Sequence, residues 1–166
     1  MKRKIKAYAI IVLIIAALFG LLYWRATAPK PGLAFADQGR THIREGASHL
    51  EYNSNPPTSG PHYDRPARLG FYDEELPDER LVHNLEHGHI WISFREKDDN
   101  ELKEKLRKIQ ASRRKIIATH RPKNDSAIAV AAWTRLLKLD SYDEAKIKDF
   151  IDAWYDQGPE KIMADE

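Results

Sequence analysis

Leu81-Val-His-Asn-Leu-Glu-His-Gly-His-Ile-Trp-Ile-Ser-Phe94 changes character at Gly88, and the fold depends on how each side of that glycine is read. After it, His89 to Phe94 is β-branched and aromatic with partial alternation, which predicts a strand. Before it, Leu85 and Glu86 do not alternate cleanly with polar neighbours, which favours a helical turn over 81–87. Gly88 is then the C′ residue that ends the turn and hands the chain to the strand. In such a turn His83 and His87 stand i, i+4 on one face, about 5–6 Å apart at Cβ, close enough to share a metal ion. In an extended segment they would lie about 13 Å apart, and His87 and His89 would be the same-face pair.

Downstream the elements follow quickly. Asp98-x-x-Glu101 has capping-box-like spacing and opens a helix to about Ser112, with the apolar stripe Leu102, Leu106 and Ile109. Lys115 to His120 is a second strand, Arg121-Pro-Lys-Asn-Asp125 a turn, and Ala127 to Trp133 a third strand. Ser141-x-x-Glu144 is a capping box, and the helix after it buries Ile147, Phe150, Ile151 and Trp154 before stopping at Gly158-Pro159. The expected class is α+β, a β-α-β-β-α layer with sheet on one side and helices on the other. The same order occurs in the C-terminal half of thioredoxin-like folds, an analogy of fold alone, because no Cys-x-x-Cys is present. There is no internal repeat.

Upstream, residues 47–80 hold five of the nine prolines and show neither helical nor alternating pattern. They read as an irregular Pro-rich lobe, ordered because Tyr52, Leu69, Phe71 and Tyr72 give it apolar groups to bury. Residues 26–45 read as a linker, 46–160 as the extracytoplasmic domain, and 161–166 as a tail. The first 25 residues read as a cytoplasmic tip and transmembrane anchor. Ala7 to Trp24 carries no charge and as a helix spans about 27 Å, close to the hydrocarbon thickness of a bilayer. Lys2, Arg3, Lys4 and Lys6 precede it, which places the N-terminus in the cytoplasm of a single-pass protein of the cell membrane. A cleaved signal peptide is the rival reading, since Ala26-Thr-Ala28 and Ala34-Phe-Ala36 both fit small-x-small cleavage sites.

The formal charge of +2 belongs to the anchor and its flanks. Without Lys2, Arg3, Lys4, Lys6, Arg25 and Lys30, the 27 basic residues fall below the 25 acidic ones. An acidic exported part argues against nucleic acid as a partner. The absence of cysteine removes disulfides, thiolate metal sites, thiol redox chemistry and lipid acylation together.

The histidines carry the candidate chemistry. Five of seven (His49, His62, His83, His87, His89) fall within 41 residues. His62 closes Pro56-Pro-Thr-Ser-Gly-Pro61, where three residues precede a proline and little backbone freedom remains. That loop can hold His62 against His83 and His87 at low ordering cost, with His49 as a candidate fourth ligand. Imidazole ligands suit zinc or copper and not calcium or magnesium, and no organic cofactor is implied. Glu86 is a second-shell acceptor for an imidazole or, if the protein is a hydrolase, the general base. His42 and His120 receive no role, and His89 a secondary one. Trp91, Trp133 and Trp154 read as core, and the basic run over 103–115 as a solvated face.

Asn55-Pro-Pro-Thr-Ser-Gly-Pro-His62 together with Val82-His-Asn-Leu-Glu-His-Gly88 resembles the domain-of-unknown-function family 3105, over roughly residues 46–160. Members are bacterial proteins that often carry one N-terminal membrane segment. The resemblance implies that His62, His83, Glu86 and His87 belong to one pattern and leaves His89 outside it. It brings no agreed activity. Three functions are therefore weighed: a membrane-anchored domain binding a divalent transition metal, an envelope protein-interaction module with structural histidines, and a metal-dependent hydrolase.

Overall fold

A computed structural model describes residues 2–27 and 29–160 of the chain; the tail expected over 161–166 lies outside them. In chain order the elements are α1 (Lys2–Thr27), β1 (Leu33–Ala34), β2 (His42–Ile43), β3 (His62–Tyr63), β4 (Phe71–Tyr72) and α2 (Asp78–Glu86). They continue with β5 (Ile90–Phe94), α3 (Asn100–Ala111), β6 (Ile116–His120), β7 (Ile128–Ala132), β8 (Arg135–Leu139) and α4 (Glu144–Trp154). Two units separate, Met1–Lys30 and Pro31–Glu166.

The first unit is α1. Its side chains from Ile10 to Gly20, and those of Leu22 and Tyr23, are exposed. Among the described residues no helix is long and apolar enough to cross a membrane.

The second unit is mixed α+β around a six-stranded sheet of order β1-β8-β7-β5-β6-β4. β5 lies parallel to β6 and antiparallel to β7, so α3 forms a crossover between two parallel strands. All five residues of β5 are buried, the pattern of a strand covered on both faces. Ile90, Ile92 and Phe94 point to one face and pack with Leu102, Leu106, Ile109, Phe150 and Ile151 of α3 and α4. Trp91 points to the other and packs with Leu81, Val82 and Leu85 of α2, and with Ile117 and Trp133.

This corrects the expected layering. The sheet has α3 and α4 on one side and α2 with the irregular lobe on the other, because α2 also has an apolar face to bury. The strand β8 is an addition to the expected order. It returns antiparallel along β7 with Ala132 opposite Arg135, through a turn at Trp133-Thr134 that carries no glycine. Thr134 takes φ +58° and is held there by its amide, which donates to the Thr58 carbonyl at 2.9 Å.

Smaller differences concern caps. The side chain of Asp99 caps α3 and that of Asp143 caps α4, each one or two residues inside the expected position. Both accept from the amide three residues on, which is the N-cap geometry. The expected linker contributes structure: β1 pairs with β8 at the sheet edge, and β2 pairs in parallel with β3, His42 opposite His62.

Candidate metal centre

α2 positions two imidazoles. Its apolar residues Leu81, Val82 and Leu85 face the sheet, which turns His83, Glu86 and His87 toward the loop that carries His62. The helix ends as its sequence predicts. Gly88 has φ +76°, its amide donates to the Leu85 carbonyl and the His89 amide to the Asn84 carbonyl, both at 3.0 Å. That pair of bonds is the Schellman motif, and its left-handed residue favours glycine. Asn84 then reaches sideways: its amide group exchanges hydrogen bonds with both backbone groups of Ala67, and donates to His89 Nδ1. His89 Nδ1 thus serves this clasp.

The proline loop is pinned from several directions. Ser59 Oγ accepts from the Gln38 amide, and the Gly60 amide donates to the Gly39 carbonyl. Tyr52 Oη donates to the Pro61 carbonyl at 2.6 Å, and burial, with Glu79 and Asp78 nearby, pushes its hydroxyl well above the usual range. Gly60 has φ +118°, which disfavours any side chain, and a Cβ there would press on the Tyr52 ring at 3.1 Å. His62 emerges fully buried.

The imidazoles share an orientation. His62 Nδ1 lies 2.8 Å from the Gly60 carbonyl and His83 Nδ1 lies 2.6 Å from the Tyr63 carbonyl. A carbonyl only accepts, so both Nδ1 atoms carry protons, and both rings turn Nε2 inward. His62 Nε2 meets Glu86 Oε2 at 2.9 Å, and His83 Nε2 meets His87 Nε2 at 2.7 Å. His42 copies the arrangement more loosely, with Nδ1 3.5 Å from Asp64 and Nε2 3.7 Å from Glu86 Oε2. The outward bonds are those by which proteins orient metal-binding histidines. Burial depresses the pKa of His83 and of His87, and neighbouring imidazoles add to the effect, so both are neutral with lone pairs available at pH 7. His89, also buried, is pushed down to about 4.

Among the described residues, two sets of donors converge within 4.8 Å: His42, His62 and His83, and then His83, Glu86 and His87. The predicted ligands His62, His83 and His87 are thus brought to one place, divided between two sets. Glu86, considered as a base, stands among the donors. His49 belongs to neither set. It bonds Glu79 and the Leu50 carbonyl and lines a separate cleft with Tyr52, Leu76 and Arg121. His42, given no role from sequence, joins the centre because β2 pairs with β3, a long-range register that no local pattern announces. An imidazole–carboxylate donor set fits zinc or copper. Two nitrogens on a tetrahedral zinc stand about 3.3 Å apart, so His83 and His87 need move by well under an ångström to accept an ion.

The chain belongs to the family described as protein of unknown function (DUF3105), whose model matches residues 42–166 and so begins at His42. No curated protein and no solved structure matches it.

Proposed function

We propose that this member of the DUF3105 family is a single-pass membrane protein whose extracytoplasmic domain binds a divalent transition metal, zinc or copper, at the histidine centre. One observation carries the reading: the buried rings of His62 and His83 are each tied through Nδ1 to a backbone carbonyl, with Nε2 turned toward a third imidazole and a carboxylate. Structural histidines do not need that common polarity, whereas metal ligands do. The anchor is supported by the uncharged run from Ala7 to Trp24 and the basic residues that precede it. The run of β5, α3, β6, β7, β8 and α4 supports the thioredoxin-like reading of the layer, which without cysteine brings no redox chemistry.

Metal analysis of the full-length chain, purified without a histidine tag, tests the proposal. Zinc or copper is expected to co-purify or to bind at micromolar concentration or below, and failure of both would end it. Fractionation tests the anchor separately: the chain should stay with membranes through an alkaline carbonate wash and be released when residues 7–24 are deleted.

The second reading, an envelope protein-interaction module, is favoured by the open cleft beside His49, where Tyr52 and Leu76 offer apolar surface among charged groups. It expects Leu76→Arg, in that cleft, to leave the chain folded while losing a co-purifying protein, and a triple His62→Ala, His83→Ala, His87→Ala chain to keep that protein.

A further inference from the structure

His83 belongs to both sets of donors, yet it has one lone pair to give. Its Nδ1 proton is committed to the Tyr63 carbonyl at 2.6 Å, so Nε2 alone can bind an ion. A nitrogen lone pair makes one dative bond, and the two sets cannot be filled together. They also differ in access. The His42 side chain is 47% exposed, while His87 is 6% and Glu86 2% exposed.

Building on the metal-binding reading above, we propose that the centre holds one divalent ion at a time in two alternative positions, with His83 as the pivot. The ion enters the outer position, between His42, His62 and His83, and settles in the inner one, between His83, Glu86 and His87. During the passage the bonds to His42 Nε2 and His62 Nε2 break and bonds to the Glu86 carboxylate and His87 Nε2 form, while His83 Nε2 stays bonded. Glu86 Oε2 lies 2.9 Å from His62 Nε2 and 3.7 Å from His42 Nε2, so the carboxylate is within reach of the outer position as well.

Before the ion arrives, His83 Nε2 has no proton, and the short contact between the two rings is therefore a hydrogen bond donated by His87 Nε2. Metal entry displaces that proton. It moves to His87 Nδ1, a buried atom without a hydrogen-bond partner among the described residues, and the freed lone pair takes the ion; the proton that joins His62 Nε2 to Glu86 Oε2 leaves to solvent when His62 binds in the outer position. The ion keeps its charge throughout and no electron is transferred. This makes the centre a device for taking up an ion from solvent and passing it inward, with the inner position retaining it longer.

The experiment is a zinc titration of the full-length untagged chain against a chromophoric chelator, with release to excess EDTA followed by stopped flow. Wild type should bind one ion per chain. H42A and H87A should each still bind one, weakened by no more than about tenfold, whereas H83A should lose at least about a hundredfold. H87A, confined to the outer position, should release zinc faster than either wild type or H42A. If circular dichroism shows H83A unfolded, His83→Gln replaces it, since its amide can still donate to the Tyr63 carbonyl. Two ions per chain, an H83 variant no weaker than H42A, or equal release from H87A and H42A would each overturn the pivot alone. Wild type binding neither zinc nor copper would overturn the metal reading and the pivot with it.

Discussion

Arg121 shows how much of this domain hangs on single buried side chains. Its guanidinium donates to both carboxylate oxygens of Asp78, at 3.0 and 2.9 Å, and to the side-chain oxygens of Asn55 and Asn124. It thereby joins the start of α2, the proline loop and the turn after β6. The residue is 4% exposed, and removing it leaves Asp78 with Lys123, at 3.1 Å, as its remaining cation and takes a donor from Asn55 and Asn124. Arg121→Ala is expected to destabilise the domain by about 2–3 kcal/mol in denaturant unfolding, the cost of losing hydrogen bonds to a charged group. Arg121→Lys should recover only part of that, because an ammonium cannot reproduce the two-pronged contact. From sequence this arginine read as one residue of a polar turn. Burial depends on what packs over a residue, and the loop that covers Arg121 comes from about 66 positions earlier in the chain.

At the scale of elements, α2 depends on a segment far from it in sequence. The Glu160 amide donates to the Glu86 carbonyl and the Asp156 amide to the Gly88 carbonyl, at 3.1 and 2.9 Å. Carbonyls in the last turn of a helix otherwise lack partners, so this strand-like cover is part of the helix cap. The approach is close enough that a Cβ on Gly158 would overlap the Glu86 carbonyl oxygen and the Gly88 nitrogen. Gly158→Ala should cost about 1–3 kcal/mol and also weaken zinc binding, since it displaces the turn carrying Glu86 and His87.

A milder clip joins the end of β4 to α3. Lys103, with Arg107 beside it, holds the Asp73 carboxyl below the usual carboxylate range. A depressed folded-state pKa stabilises at pH values above the ordinary one and loses that contribution as pH falls through the folded value. Asp73→Asn should therefore cost a few tenths of a kcal/mol at pH 7, an exposed pair being largely screened, and the difference from wild type should close toward pH 3. Raising the salt at pH 7 should shrink it as well.

The whole molecule should report metal binding as stability. The donors come from β2, the proline loop and the C-terminal end of α2, so an ion bound there ties segments that separate on unfolding. Zinc at about a hundred times its dissociation constant adds about 2.7 kcal/mol, or very roughly 10 °C in Tm, and EDTA should reverse the shift. A Tm indifferent to zinc while metal analysis finds it bound would mean that the unfolded chain holds the ion equally well.

Much of the centre was legible because its geometry is local. The i, i+4 spacing of His83 and His87, the glycine that must end their turn and the prolines that stiffen the approach to His62 are all properties of neighbours in the chain. The strands β5, β6 and β7 and the helices α3 and α4 were legible for the same reason, from periodicity and capping residues. Tertiary structure alone decided that His42 stands opposite His62, that Glu86 meets His62 and that His49 does not join them. It also placed α2 on the second face of the sheet and added β8, through a turn whose strained threonine is held by the proline loop. Those outcomes depend on pairing and burial between distant segments, where the free energy comes from surfaces that no single stretch of sequence contains.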